Sequence, residues 1–130
     1  MPFINVRVAG PLDMAQTDKI QKEITSLMAE VLRKEASVTA VLVEQHKLAG
    51  WTIDAEPVPR AAQVDVTITA GTNTPEQKAR FIAAVNRLLR DELGPDLPKA
   101  SYIVIHEVPR DSWGYGGLTQ AHRAKVLETQ

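Results

Sequence analysis

The chain has 130 residues, enough for one domain with a real core, and fifteen Lys/Arg against sixteen Asp/Glu give a formal net charge of −1. Its cations are scattered among its acids rather than gathered in a stripe, which argues against nucleic-acid binding, and the lack of cysteine excludes disulfides, thiol nucleophiles and thiolate metal sites. No apolar run approaches the roughly 18–20 residues that cross a bilayer, and Met1–Val6 has no charged segment ahead of an apolar one, so the expectation is a cytoplasmic protein with no membrane partner.

Ile4, Val6 and Val8 alternate with Phe3, Asn5 and Arg7, the period of a strand with one buried face that begins at the second residue. Gly10-Pro11 ends it. Asp13 and Gln16 form a capping-box pair, and Ile20, Ile24, Leu27, Val31 and Leu32 make the apolar stripe of the helix that follows. A second strand is expected over 38–44, rich in β-branched residues. The pattern then restarts. Val64, Val66 and Ile68 alternate with polar neighbours, and Ala70-Gly71 breaks that strand. Thr74-Pro75-Glu76-Gln77 is a stronger capping box with proline at the first helical position. Phe81, Ile82, Val85, Leu88 and Leu89 form the second helix's stripe, Gly94-Pro95 stops it, and 102–108 is the fourth main strand.

The halves align. Ile4, Val6 and Val8 match Val64, Val66 and Ile68 at a spacing of 60, and Trp51 matches Trp113 at a spacing of 62. The economical reading is two tandem β-α-β repeats, about 2–54 and 62–120, joined through 55–61 within one domain. With right-handed crossovers this predicts an α/β fold, an α+β two-layer sandwich in which a four-stranded sheet carries two helices on one face. The opposite face is left bare, which predicts an oligomer.

Most catalytic devices are missing. There is no glycine-rich phosphate loop and no GxSxG elbow. His46, His106 and His122 lack metal-ligand spacing, so no metal and no cofactor is expected. Pro2 differs. Methionine before proline is usually removed, which would leave a secondary amine at the start of a strand. An exposed α-amino group titrates near about 7.7–8, and partial burial lowers that, so such an amine serves as a general base at neutral pH. After the fourth strand, Glu107-Val108-Pro109-Arg110-Asp111-Ser112-Trp113-Gly114-Tyr115-Gly116-Gly117 reads as a glycine-rich turn in which Trp113 offers an apolar wall.

Pro2 opening a strand, a βαβ unit of about sixty residues, and Glu-Val-Pro-x-x-x-Trp-Gly-x-Gly-Gly closing it together resemble the 4-oxalocrotonate tautomerase family, and the doubled unit resembles its fused members. The resemblance implies a cofactor-independent keto–enol tautomerase or isomerase acting on a small 2-oxo or 2-hydroxy-dienoate acid. Pro2 would be the base, and a small-molecule carboxylate the substrate. It implies a homotrimer of the two-repeat chain. Trp113 and its counterpart Trp51 would line the pocket with Tyr102, which also has a hydroxyl to offer an enolate. Only one repeat opens on an amine, since Ala62 holds the corresponding place in mid-chain. The family's carboxylate-binding arginines fall on Leu12, Thr72, Ala40 and Tyr102, none of them arginine. Arg110 could supply charge instead, as could Arg7, Lys47 and Arg60, and Thr72-Asn73 could supply hydrogen bonds. The rival reactions on the Pro2 site are those of a hydratase, dehalogenase or decarboxylase; the missing arginines count against the last two and favour a relative that is an inactive scaffold.

Overall fold

The computed structural model describes residues 2–128. The first strand, β1 (Phe3–Ala9), buries Ile4, Val6 and Val8 completely while Phe3 and Arg7 stay exposed. Helix α1 (Met14–Glu30) starts at Asp13, whose carboxylate accepts from the Gln16 amide while Gln16 reaches back to the Asp13 N–H. Ile20, Ile24 and Met28 form its buried stripe. Arg33 then takes a left-handed φ of 59° and the Lys34 N–H bonds the Met28 carbonyl, which turns the chain back toward the sheet. β2 is Ala40–His46 rather than 38–44, because residues Ala36–Val38 close a 3-10 turn first.

A two-residue hairpin, β3 (Thr52–Ile53) and β4 (Glu56–Pro57), occupies part of the expected connection between halves. Its turn residues Asp54 and Ala55 both have positive φ, 54° and 61°. Such turns usually announce themselves with Asn-Gly or Gly-Gly, and here no glycine marks it. β5 (Ala61–Thr69) buries Val64, Val66 and Ile68, and α2 (Pro75–Leu93) has the reciprocal Thr74–Gln77 capping box with Pro75 in its first turn. β6 (Ile103–Val108) leads into a second hairpin, β7 (Gly114–Tyr115) with β8 (Leu118–Thr119), and then α3 (Gln120–Glu128). The alternating and helical periods gave no sign of α3, which carries no apolar stripe.

The main sheet runs β2-β1-β5-β6. β1 and β2 are parallel, β5 and β6 are parallel, and the two halves meet through antiparallel β1 and β5, from Phe3 opposite Thr67 to Ala9 opposite Ala61. Helices α1 and α2 pack on one face of this mixed sheet, in a single core that joins Ile4, Val6 and Val8 to Val64, Val66 and Ile68. The helices are further tied by Gln16, whose side-chain amide donates to the Glu92 carbonyl, and by the Lys19–Glu92 ion pair at 2.9 Å. The two-layer sandwich expected from the repeats is therefore the observed fold, with hairpins and a third helix added at its ends.

The other face of the sheet carries charge. Arg7 lies between Glu44 and Asp65 at 4.0 and 3.9 Å, while His46 bonds Glu44 and His106 bonds Asp65. Being largely exposed, these pairs contribute little to stability. The helix-facing core contributes most, and Phe81 is its largest fully buried side chain. Phe81→Ala is expected to destabilise the chain by about 3–5 kcal/mol, through lost burial and a residual cavity. Urea denaturation at neutral pH reads this as a lower midpoint with an unchanged slope.

Candidate active site

Pro2 stands one residue ahead of the Phe3–Thr67 pair, so it lies against the C-terminal end of β5. On the other side its carbonyl accepts from the Ala40 N–H at the start of β2, at 3.3 Å. It is buried there. Met1, whose removal a free amine requires, lies outside the described residues.

A cavity of about 500 Å³ opens at this same end of the sheet. One wall is the lead into β2, with Lys34, Glu35 and Val38; the middle is the end of β5, Thr69–Thr72; the far wall is the segment after β6, with Arg110, Tyr115, Gln120 and Arg123. In the order β2-β1-β5-β6, the strand between the first wall and the middle is β1, and Pro2 is its lead residue. Three cations, Lys34, Arg110 and Arg123, line the cavity against one carboxylate, Glu35. The arrangement suits an anion.

Lys34 is half-buried, and its ammonium donates to the Thr72 hydroxyl at 2.8 Å. That hydroxyl in turn donates to the Thr69 carbonyl at 2.7 Å, so the lysine is aimed rather than free to sweep. Burial pushes the Lys34 amine below its usual range, and the charge of Glu107 opposes this. Glu107 is itself held below the ordinary carboxylate range, first by its hydrogen bond from Lys78.

The predicted site residues divide between the two ends of the sheet. Thr72, Arg110 and Trp113 share Pro2's end, the Trp113 indole N–H donating to the Thr69 hydroxyl at 3.1 Å. Asn73 is there too, but its amide N–H groups are given to the Leu32 carbonyl and the Gln77 side chain, tying the α1 exit to the α2 start. Tyr102 precedes β6 and is two-thirds exposed, and Trp51 borders Arg7, His46 and Lys47 beyond the end of β2. Both therefore sit at the opposite end, about 20 Å away along seven strand residues. Neither meets Pro2 within one chain.

Lys34 and Arg123 were not foreseen. Nothing in the spacing of Lys34 distinguishes it from other helix-end lysines, and Arg123 lies on a helix without periodicity. The tight hairpin β7–β8 forms the aromatic side of the site. A methyl group at Gly114 would lie 1.9 Å from the Leu118 carbonyl oxygen, so only glycine fits there.

The pseudo-equivalent end is built differently, with a cavity bordered by Arg7, His46, Lys47 and Trp51. Ala62 is fully buried, and the Arg60 side chain lies over Gly10 so closely that a Cβ there would come within 2.5 Å of its guanidinium. The Ala62 nitrogen is an ordinary peptide amide. Among the described residues no group of three or more His, Asp or Glu converges to hold a metal ion, and no helix is long and apolar enough to cross a membrane.

The lowered Lys34 value has a measurable sign. Between that value and the ordinary 10.5, the unfolded chain binds more protons at this position than the folded one, so stability from Lys34 rises with pH in that window. Urea midpoints of wild type minus Lys34→Met are expected to increase as the pH is raised toward about 10.5. A flat difference would mean that the amine titrates as if exposed.

A family model described as "Tautomerase enzyme" matches residues 2–59 and again 63–123. A probable tautomerase K2 of Dickeya dadantii (strain 3937) is 42% identical over 60 residues, 46% of this chain and 88% of that protein. Among solved structures, a fused 4-OT asymmetric trimer superposes with a TM-score of 0.82 at 17% identity, covering 94% of this chain and 98% of its own. Native fused 4-OT gives 0.79 at 20% identity over 94% and 98%. The macrophage migration inhibitory factor-like protein of Entamoeba histolytica gives 0.73 at 17% identity over 91% and 97%. With both halves matched by the one family model and the fold shared with fused 4-OT, the chain belongs to the tautomerase family.

Proposed function

We propose that the chain is a cofactor-independent keto–enol tautomerase of a small 2-oxo or 2-hydroxy-dienoate acid, with the amine of Pro2 as its base once Met1 is removed. The observation that carries this reading is the position of Pro2, at the head of the strand flanked by two walls of a cation-lined cavity. Pro2 is buried, and burial disfavours the charged form of an amine, which supports a role as base for a free amine at this position. It takes the enol proton and returns it to a carbon of the conjugated chain, so the product is an isomer and nothing is consumed. Lys34, fixed by Thr72, pairs with the substrate carboxylate in place of the family's arginines. Trp113, held through its indole N–H, is the apolar wall.

The working form is a homotrimer, the form in which several fused 4-OT proteins of the same fold occur. Tyr102 and Trp51 lie too far from Pro2 in the same chain, so any contribution from them comes from a neighbouring copy.

The test pairs intact mass with a substrate screen. The purified protein should have lost Met1 and should be labelled by bromopyruvate at Pro2. Pro2→Ala, which leaves a primary amine in place of the secondary one, should reduce kcat/KM on 2-hydroxymuconate or phenylenolpyruvate by about 10²–10⁴. Retained Met1, or full activity in Pro2→Ala, would overturn the assignment of Pro2. Turnover of 3-haloacrylates or malonate semialdehyde in place of the enols would replace tautomerisation by dehalogenation or decarboxylation.

A further inference from the structure

The end of the sheet away from Pro2 has a cavity of its own, about 550 Å³, and none of the described residues that line it is acidic. Arg7, His46 and Lys47 meet there with Ala49, Gly50 and Trp51. The cations have donors to spare. Arg7 stands 4.0 Å from Glu44 and 3.9 Å from Asp65, beyond hydrogen-bond reach, and its side chain is 45% exposed. Lys47 is exposed, and its ammonium has no ion pair or hydrogen bond among the described residues. The Trp51 indole N–H has no acceptor among them either, whereas that of Trp113 is given to Thr69. Arg60 adds charge at the same end: it is buried without an ion pair among the described residues, and burial pushes its guanidinium below the usual range. Glu44, which bonds His46 at 3.1 Å, and Asp65, which bonds His106 at 2.7 Å, are the carboxylates that oppose these cations.

The backbone at Trp51 is set by a 3-10 turn, Leu48–Gly50, with the Trp51 amide donating to the Leu48 carbonyl at 3.0 Å. A Cβ on Gly50 would meet no atom within 4 Å, so the cavity is open at that residue. An indole next to accessible cationic donors recognises a flat ligand that bears an anion: the ring takes the planar body and the donors take the oxygens. The planar fork of Arg7 matches a carboxylate. Trp51 is also the counterpart of Trp113, so each end of the sheet joins a tryptophan to a group of cations.

We propose that the cavity of Arg7, Lys47 and Trp51 is a second, non-catalytic binding site for a small planar monocarboxylate with an aromatic or conjugated body. The second repeat opens on no amine, so the ligand is held and not converted. This depends neither on Pro2 as the base nor on the cavity at the Pro2 end as the substrate site.

The two tryptophans make the test specific. In Trp113→Phe the remaining indole is Trp51, and its fluorescence is followed as benzoate, benzamide or inorganic phosphate is added to the full-length protein. Benzoate should change the Trp51 emission saturably. Benzamide, its neutral isostere, and phosphate, which has no ring, should bind at least about 10-fold more weakly. In the same background, Arg7→Met or Lys47→Met should weaken benzoate by about 10-fold, the scale of a lost hydrogen bond to a charged group. Glu44→Gln removes an opposing charge and should tighten it. Gly50→Leu fills the open space without a clash at Cβ, and should abolish binding while the urea midpoint is kept. Lys34→Met, at the opposite end, should have no effect. An emission that does not saturate, an equal response to benzamide, or full binding in Gly50→Leu would overturn the proposal. So would a benzoate response lost in Lys34→Met, which would move the ligand to the Pro2 end.

Discussion

The antiparallel pairing of β1 with β5 is the constraint on which the rest of the molecule depends. It joins two βαβ halves into one sheet, and it sets the lead residue of one half beside the loop that ends the first strand of the other. The register is held by burial. Ile4, Val6 and Val8 must face the helices together with Val64, Val66 and Ile68, and a slip of one residue would turn every one of them outward. A slip of two would preserve burial but move Pro2 about 7 Å from Thr69–Thr72. Core packing and site geometry are therefore specified by the same pairs.

The cavity's chemistry comes from chain reversals rather than from the sheet. Lys34 reaches it because α1 ends in a left-handed residue, Arg33, that swings the next side chain under the sheet's end. Thr72 receives it because the β5–α2 turn folds the threonine hydroxyl back on the Thr69 carbonyl. Trp113 is held by the next hydroxyl along, that of Thr69 itself. Thr69 and Thr72 thus tie the cationic wall to the aromatic one, through contacts with Lys34 and Trp113 that are far away in sequence.

Much of the architecture was legible because it is periodic. The alternation at 4–8 and 64–68, the two capping boxes and the repeat of the tryptophans gave the sheet, both long helices and the doubling. What periodicity does not encode was missed. The hairpin at Asp54-Ala55 places two non-glycine residues at positive φ, and α3 is held by backbone bonds to Arg110 and Trp113 rather than by an apolar face. The site followed the same division. Pro2, Thr72, Arg110 and Trp113 fall at one end as their positions in the repeat suggested, whereas Lys34 and Arg123 arrive from a helix exit and an added helix. Trp51 and Tyr102 could be matched to the pattern, yet only the antiparallel pairing reveals which end of the sheet each occupies.

Arg60 over Gly10 makes the duplication unequal. Where the first repeat opens on Pro2, the second has Ala62 buried in mid-chain, and Arg60 just ahead of it is buried as well. The two-fold likeness of the backbone thereby coexists with a functional handedness. The chain has two unlike ends, one lined by Lys34, Arg110 and Arg123 and the other by Arg7, His46 and Lys47.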